Sequence, residues 1–297
     1  MTTVNDVLGA VQEQLHRAGI DSQAPEAAII VSHVLGITRG KLGVMQALGE
    51  RLNDETVATI YELARQRATR IPLQHLLGET TFYGVDLKIE PGVFIPRVET
   101  EVLVETTLAH FEHHTTGELA ILDLCTGSGA IAAALAEQFG QRNITTRIWA
   151  VDLDPLAVQL AQHNTAEYNV SVLCADATDA ASLVEADAKL VQWIGHFDAV
   201  VSNPPYIPTV TPVTQQEAEY DPQLALYGGS ADGLDIPSAI AQVAAQSLAP
   251  GGYFILEHDE THAAEIAAIL ERNTVWEQVH TVQDLTATNR FVSAVRA

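Results

Sequence analysis

The stretch Ile121-Leu-Asp-Leu-Cys-Thr-Gly-Ser-Gly-Ala130 decides the fold of this 297-residue chain. An apolar run with strand character leads directly into two glycines, and a helical pattern over residues 131–139 follows them. Gly127 and Gly129 allow the backbone to turn sharply into the helix and to approach a ligand closely. A buried strand that enters a helix through such a loop predicts a nucleotide-like cofactor on an α/β sheet.

The next strand along the chain ends in an acid. Its apolar run finishes at Asp152, about twenty residues beyond the glycine loop, where a carboxylate can accept hydrogen bonds from ribose hydroxyls. A third apolar run ends near Asp176. The order strand, glycine loop, helix, strand and acid therefore predicts a cofactor that contains a nucleoside.

The glycine spacing does not name that cofactor. Gly127-x-Gly129-x-x-Ala132 also fits the relaxed dinucleotide fingerprint, so an NAD-dependent dehydrogenase stays open on this pattern. Asp123 at the head of the loop favours S-adenosylmethionine, because a carboxylate suits the ammonium group of an amino-acid moiety better than a pyrophosphate.

Apolar runs alternate with helical stretches over the rest of this region, which is the pattern of a doubly wound sheet. No helical pattern separates the last two runs, so we expect an antiparallel hairpin at the C-terminal end. Strands are predicted near residues 119–124, 147–152, 170–175, 197–202, 252–258, 275–282 and 290–296.

Two other regions precede the sheet. Apolar residues spaced by three or four, such as Val4 and Leu8, predict helices, and Asn53 is a good N-cap for one of them. Around Val85 and Leu87 the period changes to two, which predicts a β-hairpin. We predict an all-helical domain, a hairpin linker and a sheet domain over residues 1–75, 76–97 and 98–297.

The tetrapeptide Asn203-Pro204-Pro205-Tyr206 follows the fourth predicted strand of the sheet, at the edge where open α/β sheets bind ligands. The Asn203 amide oxygen and the Pro204 carbonyl offer two acceptors for the hydrogens of a planar NH2 group, and Tyr206 offers a flat face. Asn-Pro is also a common way to end a strand. Taken alone, the tetrapeptide is as consistent with a turn as with a binding site.

Charge and hydropathy exclude several classes of protein. The 38 acidic and 15 basic residues give a formal net charge of −23, whose field repels a phosphate backbone, so direct nucleic-acid binding is not expected. No apolar stretch has the length of a membrane span, and the N-terminus lacks a signal-peptide pattern. We expect a soluble cytoplasmic protein with no membrane contact.

Two further expectations concern single side chains. Cys125 and Cys174 belong to no CxxC or Cys/His cluster, so we expect both to be reduced and buried at strand ends, with no metal site. Glu217 and Glu219 are expected on a solvated face of a loop.

Four segments, in this order and at these spacings, resemble the class I S-adenosylmethionine-dependent methyltransferases with an (N/D)PP(Y/F) motif. They are ILDLCTGSGAIA, AVDLDPLAV, CADA and SNPPYIP, which begin at residues 121, 150, 174 and 202. Within that class the chain resembles the release-factor glutamine methyltransferases, the PrmC/HemK family. The more specific segments are IPLQHLLGETTFYGVDLKIEPGVFIPRVETEVLVE, QLALYGGSADGLD and PGGYFILEH, which begin at residues 71, 223 and 250.

The chain departs from the family pattern at two positions. Family members usually read PRPETE and LEHG where this chain has Val98 and Asp259. The first departure removes a stiffening proline beside the expected cofactor entrance, and the second places an acid where a glycine turn is usual.

The resemblance implies an α/β fold: a Rossmann-like class I methyltransferase sheet of seven mostly parallel strands with an antiparallel C-terminal hairpin. It implies S-adenosylmethionine as cofactor and, as methyl acceptor, the glutamine of the Gly-Gly-Gln (GGQ) loop in class I peptide chain release factors. The implied catalytic residues are Asn203, Pro204 and Tyr206, which with Pro205 bind the substrate. The implied cofactor-binding residues are Cys125, Thr126, Gly127, Ser128, Gly129, Asp152, Asp176, Ala177 and Asn203, with Phe94 and Arg97 beside the hairpin.

Other functions remain compatible with the residues. A DNA or RNA amino-methyltransferase would present the same two NH2 hydrogens to the tetrapeptide, although the acidic charge and the hairpin segment disfavour it. A non-catalytic S-adenosylmethionine-binding module is disfavoured by the intact Asn203 and Tyr206. The helical domain has two interpretations, a docking surface for a protein substrate or a stabilising appendage.

Overall fold

The computed structural model describes residues 1–114, 117–211 and 216–297. The chain forms two compact units. The helical unit contains residues 1–79 and, from later in the chain, residues 216–220; the sheet unit contains residues 80–211 and 221–297.

The helical unit confirms the helical pattern of the N-terminal region and adds a short strand pair that the pattern did not predict. This pair joins the start of the chain to the residues before the fourth helix, where the Val4 amide also donates to the Glu50 carbonyl at 2.9 Å. The elements are β1 (Thr2–Thr3), α1 (Val4–Arg17), α2 (Gln23–Leu35), α3 (Arg39–Leu48), β2 (Arg51–Leu52), α4 (Asp54–Arg67) and α5 (Leu73–Leu77).

Local capping explains where these helices begin and end. Asn53 caps α4 as predicted, since its Oδ1 accepts the Thr56 amide at 2.8 Å. Thr3 caps α1 in a reciprocal capping box with Asp6. Gly36 ends α2 in the left-handed conformation, with φ of 61°, which suits a residue without a Cβ.

The sheet unit contains every one of the seven predicted strands. A two-stranded hairpin precedes them. The elements are β3 (Glu79–Phe82), β4 (Val85–Lys88), α6 (Glu101–His110), β5 (Glu118–Leu124), α7 (Ala130–Gln141), β6 (Thr145–Asp152), α8 (Pro155–Asn164), β7 (Val170–Cys174), α9 (Ala180–Ala186), β8 (Phe197–Ser202), α10 (Asp235–Ser247), β9 (Leu248–Glu257), α11 (Ala263–Glu271), β10 (Trp276–Gln283) and β11 (Asn289–Arg296).

The strands lie in the order β10-β11-β9-β8-β5-β6-β7. Strands β5 to β9 run parallel to one another, whereas β11 is antiparallel to both β9 and β10. The Rossmann-like sheet with an antiparallel C-terminal hairpin is therefore confirmed. Because the chain proceeds from β5 to β6 and β7 on one side, and to β8 and β9 on the other, the order reverses beside β5.

Both faces of the sheet are buried, as expected for parallel strands. Along β5, Leu119 and Ile121 point to the core under α6, α7 and the hairpin, whereas Ala120 and Leu122 point to the core under α9, α10 and α11. The apolar runs read from the sequence are continuous because each strand is covered on two sides.

The hairpin belongs to the core of the sheet unit. Phe82 and Leu87 are 2% and 1% exposed and pack in the same core as α6 and α7. Its second strand ends at Lys88, before the turn at Pro91 and Gly92.

Among the described residues, no single helix has the length and apolarity needed to cross a membrane. The bent pair of α2 and α3, which meet at 93°, satisfies those two criteria only when its members are taken together.

Ion pairs attach residues 216–220 to the helical unit. Arg67 Nε donates to Glu26 Oε2 at 2.7 Å, and Arg67 Nη1 donates to Glu217 Oε1 at 3.1 Å. The same Glu217 oxygen accepts from Arg70 at 2.9 Å. The prediction of a solvated loop face is wrong for Glu217, whose side chain is 27% exposed and neutralised by two arginines. Glu219 is exposed, as expected.

We expect Arg67→Ala to lower the free energy of unfolding by about 3 kcal/mol, because the Arg67 side chain is 7% exposed and its removal leaves the Glu26 carboxylate without its counter-charge, while Glu217 keeps only Arg70. Chemical denaturation followed by circular dichroism measures this change. Arg65→Ala on the same helix is the matched control, since the Arg65–Glu62 pair lies at the surface and should matter little. Equal effects of the two substitutions would contradict the conclusion that the buried Arg67 ion pairs stabilise the fold more than the surface pair does.

Candidate functional site

The candidate site lies where five parallel strands end at one edge of the sheet. Leu124, the last residue of β5, is in register with Val151 of β6 and with Ser202 of β8. Ser202 Oγ donates to the Leu124 carbonyl at 2.7 Å and joins these two strand ends. The residues that follow β5, β6, β7 and β8 therefore meet beside the point where the strand order reverses, the usual ligand site of such sheets.

The glycine loop between β5 and α7 has an unusual backbone. Cys125, Gly127 and Gly129 have φ values of 61°, 57° and 80°, so three residues within five are left-handed. A Cβ on Gly129 would lie 3.1 Å from the Cα of Ala161 in α8, and both conformation and space therefore require glycine there. The Thr126 amide donates to the Val151 carbonyl at 2.9 Å and holds the loop against β6.

Asp152 organises the loop from the end of β6. Its Oδ2 accepts the Gly127 amide at 2.8 Å, and its Oδ1 accepts the Asp154 amide at 3.0 Å. Burial raises the pKa of this carboxyl above its usual value, and the two backbone donors counteract that effect. Each oxygen keeps a further lone pair, so the carboxylate can still accept hydrogen bonds from ribose hydroxyls.

Asp176 and Ala177 follow β7 at the same edge. One carboxylate oxygen of Asp176, Oδ1, accepts from both the amide and the hydroxyl of Thr178, at 2.9 and 2.6 Å. This turn orients the side chain while Oδ2 is left for an external donor such as an adenine amine. Ala177 is 5% exposed.

Asp123 lies beneath the loop and not on its surface. Its carboxylate has no exposed area, and Oδ2 accepts the Thr126 hydroxyl at 2.6 Å. Burial raises the pKa of Asp123 to about 7, since it outweighs that hydrogen bond. The direct contact with a cofactor ammonium that the sequence suggested is therefore not supported, and Asp123 acts on the loop through Thr126.

The tetrapeptide presents two unused acceptors. Asn203 Nδ2 donates to Thr100 Oγ1 at 3.2 Å, so the amide oxygen points away from Thr100. Neither this oxygen nor the Pro204 carbonyl accepts a hydrogen bond from any other residue that the structure describes. The Tyr206 hydroxyl donates to Glu257 Oε1 at 3.1 Å. The arrangement can receive both hydrogens of an NH2 group.

A second segment, residues 226–236, which we name the brace, contacts the end of the tetrapeptide and the residue that follows it. The Ile207 amide donates to the Leu226 carbonyl at 2.8 Å, and the Gly228 amide donates to the Ile207 carbonyl at 3.0 Å. Gly233 packs so closely that a Cβ on it would lie 2.3 Å from the Tyr206 carbonyl oxygen. The brace contains most of the segment QLALYGGSADGLD, so this part of the resemblance to the family corresponds to residues that support the tetrapeptide.

Phe94 and Arg97 are brought together, although not as free ligands. The Arg97 guanidinium lies 4.9 Å from the centre of the Phe94 ring and forms an ion pair with Asp221, whose side chain is 1% exposed. Their role in cofactor binding stays a prediction, as do the roles of the other candidate residues.

Thr100 and Glu257 are the residues that the sequence interpretation missed. Thr100 Oγ1 donates to Glu257 Oε2 at 2.7 Å, and both side chains contact the tetrapeptide. Both positions lie in segments that resemble the family, and Glu257 ends the strand next to β8. An acid at the carboxyl end of an adjacent strand was the available signal.

The cysteines only partly follow expectation. Both are free thiols, but Cys174 is exposed and Cys125 is intermediate, so the expectation of two buried side chains is wrong. Cys174 ends β7, which is an edge strand of the sheet formed by the described residues.

Family comparisons agree with this geometry. A model of the PrmC N-terminal domain matches residues 6–78, and a model of the methyltransferase small domain matches residues 85–216. Together with the sheet order and the glycine loop, these matches define a class I S-adenosylmethionine-dependent methyltransferase.

Similar curated proteins narrow the assignment from the class of methyltransferases to one family. The chain is 38% identical over 296 residues to the release factor glutamine methyltransferase of Mycolicibacterium smegmatis, and the match covers 100% of this chain and 99% of that protein. The corresponding protein of Deinococcus radiodurans is 36% identical, with 99% of both chains covered. That of Mycobacterium tuberculosis strain CDC 1551 is 35% identical, with 99% and 92% covered. The chain belongs to the release factor glutamine methyltransferase family.

We expect Gly233→Ala to abolish most methyl transfer while cofactor affinity stays close to that of the wild type, because a Cβ there displaces the Tyr206 carbonyl but not the glycine loop. Activity assays and isothermal titration with S-adenosylmethionine separate the two effects. Gly251→Ala is the matched control, since Gly251 has φ of 82° but no neighbour within 4 Å of a Cβ. That control suffers only the left-handed strain, about 1–2 kcal/mol. Full activity of Gly233→Ala would show that the brace is dispensable.

Proposed function

We propose that this protein transfers a methyl group from S-adenosylmethionine to the side-chain amide nitrogen of the glutamine in the GGQ loop of peptide chain release factors. Family membership supports the reaction class. The observation that carries the proposal is the pair of unused acceptors, Asn203 Oδ1 and the Pro204 carbonyl, at the carboxyl end of β8. We also propose that the reaction takes place in the cytoplasm, because a release factor is a component of the translation machinery.

The residues at the sheet edge fit the cofactor. The left-handed backbone of residues 125–129 exposes main-chain groups for the amino-acid end, and Asp152 has lone pairs for the ribose hydroxyls. Asp176 and Ala177 would hold the adenine, with Phe94 and Arg97 on the hairpin side. When bound, S-adenosylmethionine supplies an electrophilic methyl group on a sulfonium centre.

Catalysis rests on positioning and on electrostatics. An amide nitrogen is a weak nucleophile because its lone pair is shared with the carbonyl. Asn203 Oδ1 and the Pro204 carbonyl would each accept one N–H and direct the nitrogen along the line of attack. In such a transfer the nitrogen would become positive as its bond to the methyl carbon formed and the carbon–sulfur bond broke, so both acceptors would bind it more strongly. One of its protons would then pass to water.

Tyr206 completes the pocket. Its ring would pack against the planar amide, and its hydroxyl is anchored on Glu257 at 3.1 Å. The hydroxyl is not set up to act as a base, because burial raises its pKa well above the usual value and the neighbouring Glu257 charge raises it further. The chain therefore orients the acceptor and does not deprotonate it beforehand.

A nucleobase amine is the rival acceptor, since it carries the same two hydrogens. The net charge of −23 opposes the approach of a phosphate backbone. The decisive experiment incubates the purified protein with methyl-labelled S-adenosylmethionine and, in separate reactions, a release factor, its GGQ Gln→Ala variant, DNA and RNA. Label in the unaltered factor alone is expected, whereas label in nucleic acid would overturn the proposal.

We expect Asn203→Ala to lower kcat by about 10²-fold or more, because one of the two acceptors for the reacting nitrogen is lost. The folded state should stay close to wild type, and the affinity for S-adenosylmethionine should fall far less than kcat, as measured by circular dichroism and titration calorimetry. Asn289→Ala, at the exposed start of β11, is a control of the same chemical change. An Asn203→Ala enzyme with wild-type turnover would remove the acceptor site from the proposal.

We further propose that the helical unit docks the protein substrate. Every candidate cofactor and acceptor residue lies in the sheet unit, so a docking role predicts a split effect. Removal of residues 1–75 should lower kcat/KM for intact release factor much more than for a short GGQ peptide, with S-adenosylmethionine affinity retained. Equal losses for factor and peptide would instead indicate a stabilising appendage.

A further inference from the structure

Glu257 is a completely buried acid in contact with the tetrapeptide. It is 1% exposed, and its two oxygens accept different hydroxyls: Oε2 accepts from Thr100 at 2.7 Å and Oε1 from Tyr206 at 3.1 Å. Thr100 Oγ1 in turn accepts from Asn203 Nδ2 at 3.2 Å. We name this chain of side chains, from Glu257 through Thr100 to Asn203, the relay.

The direction of each hydrogen bond in the relay follows from the number of protons available. A carboxylate only accepts hydrogen bonds, so Thr100 must give Glu257 its single hydroxyl proton. Thr100 Oγ1 can then only accept from Asn203, which turns the Asn203 NH2 group inward and its oxygen outward. The orientation of an amide is assigned from its partners, and here those partners leave one choice.

We propose that Glu257 is a positioning residue for methyl transfer, which acts through Thr100 to hold the Asn203 amide with its oxygen towards the substrate NH2 group. This inference rests on the proposed function only for the identity of the methyl acceptor that binds at the tetrapeptide. The relay itself consists of residues of this chain and can be observed without substrate.

The same relay affects the electrostatics of the reaction. The negative charge of Glu257 polarises the Thr100 hydroxyl and, through it, the Asn203 amide, which makes Oδ1 a stronger acceptor. Tyr206 is oriented by the other carboxylate oxygen, so one buried acid sets both side chains that contact the acceptor. Its effect should be greatest when the substrate nitrogen becomes positive.

Protonation of Glu257 would release this constraint. A carboxylic acid can donate its proton to Thr100, which can then donate to Asn203 if the amide turns and uses its oxygen internally. Burial raises the pKa of Glu257 to about 7, against the hydrogen bonds from Thr100 and Tyr206 and the charge of Arg290. The competent orientation is therefore enforced above that pKa, and a second orientation becomes accessible as the pH falls below it.

Several charged or titratable groups surround this carboxylate. Arg290 on β11 lowers its pKa and is itself paired with Asp284 and Glu260, whereas Glu99 before α6 raises its pKa. Tyr206 of the tetrapeptide bonds to the carboxylate, and His258 and Asp259 follow Glu257 directly in the chain. His262 in turn interacts with His258 and Asp259.

The relay is tested first in the protein without cofactor or substrate. The side-chain amide resonances of Asn203, assigned by their loss in Asn203→Ala, should shift with pH across the neutral range in the wild type. In both Glu257→Gln and Thr100→Val, this pH-dependent shift of the Asn203 resonances should be absent. Unchanged Asn203 resonances in the wild type, or the same titration in Glu257→Gln, would overturn the proposal.

Activity gives the second measurement. Glu257→Gln and Thr100→Val should each lose about 10²-fold in kcat with S-adenosylmethionine affinity retained, whereas Thr100→Ser, which keeps the hydroxyl, should restore most of the activity. Thr106→Val and Glu105→Gln on α6 are the matched controls.

The wild-type kcat/KM should rise with pH through the neutral range, and Tyr206→Phe should move that rise to higher pH, because it removes a hydrogen bond that lowers the Glu257 pKa.

Stability separates positioning from a purely structural role. Because the folded-state pKa of Glu257 is raised above its ordinary value of 4.5, ionisation of this acid opposes folding, and this unfavourable effect grows as the pH rises from about 4.5 through about 7. Glu257→Gln should therefore show its loss in kcat without becoming less stable than wild type at high pH. Failure of the relay would appear in the amide titration, whereas failure of the proposed function would appear only as label on a different acceptor.

Discussion

The parallel register of β5, β6, β7, β8 and β9 is the constraint on which the rest of the structure depends. Because these strands run in one direction, their last residues meet at one edge, and the side chains that follow are neighbours although they are far apart in the chain. Ser202 bonded to the Leu124 carbonyl and Ala175 bonded to the Asp152 carbonyl show how closely the strand ends are joined. A shift of one residue in any strand would point the candidate residues into the core or away from one another.

This edge concentrates buried acids. Asp123, Asp152 and Glu257 all have pKa values raised above their usual range, and burial is the largest cause in each case. Such a cluster is costly for the isolated protein, since like charges and low dielectric both oppose ionisation. A positively charged sulfonium ligand would relieve part of that cost, which is consistent with a site that binds its cofactor through electrostatics as well as shape.

Much of the fold was predictable from local pattern. The seven strands were found because parallel strands buried on two faces read as uninterrupted apolar runs, and Asn53 was identified as a cap because its role depends on residues three positions away. What could not be predicted depends on contacts between distant segments. Glu217 was taken for a surface residue because its partners, Arg67 and Arg70, lie about half the chain earlier. The relay of Thr100 and Glu257 was missed for the same reason, and Asp123 was assigned to the ligand because sequence shows the type of a side chain but not its depth.

Gly228 and Gly233 illustrate how closely two backbone segments can approach. A Cβ on Gly228 would lie 2.1 Å from the Gly233 carbonyl oxygen, and one on Gly233 would meet the Tyr206 carbonyl. The two glycines therefore form one spatial unit with the tetrapeptide, in which no position can gain even a methyl group unless the others move. Ala231 and Asp232, between them, are exposed and under no such restriction. The steric limit therefore falls on the two ends of this loop, whereas its tip is held by hydrogen bonds, since Asp232 Oδ1 accepts from the Ser230 hydroxyl at 2.6 Å and from the Leu234 amide at 3.3 Å. Ala231 is then the position of this loop at which a larger side chain is expected to be tolerated most easily.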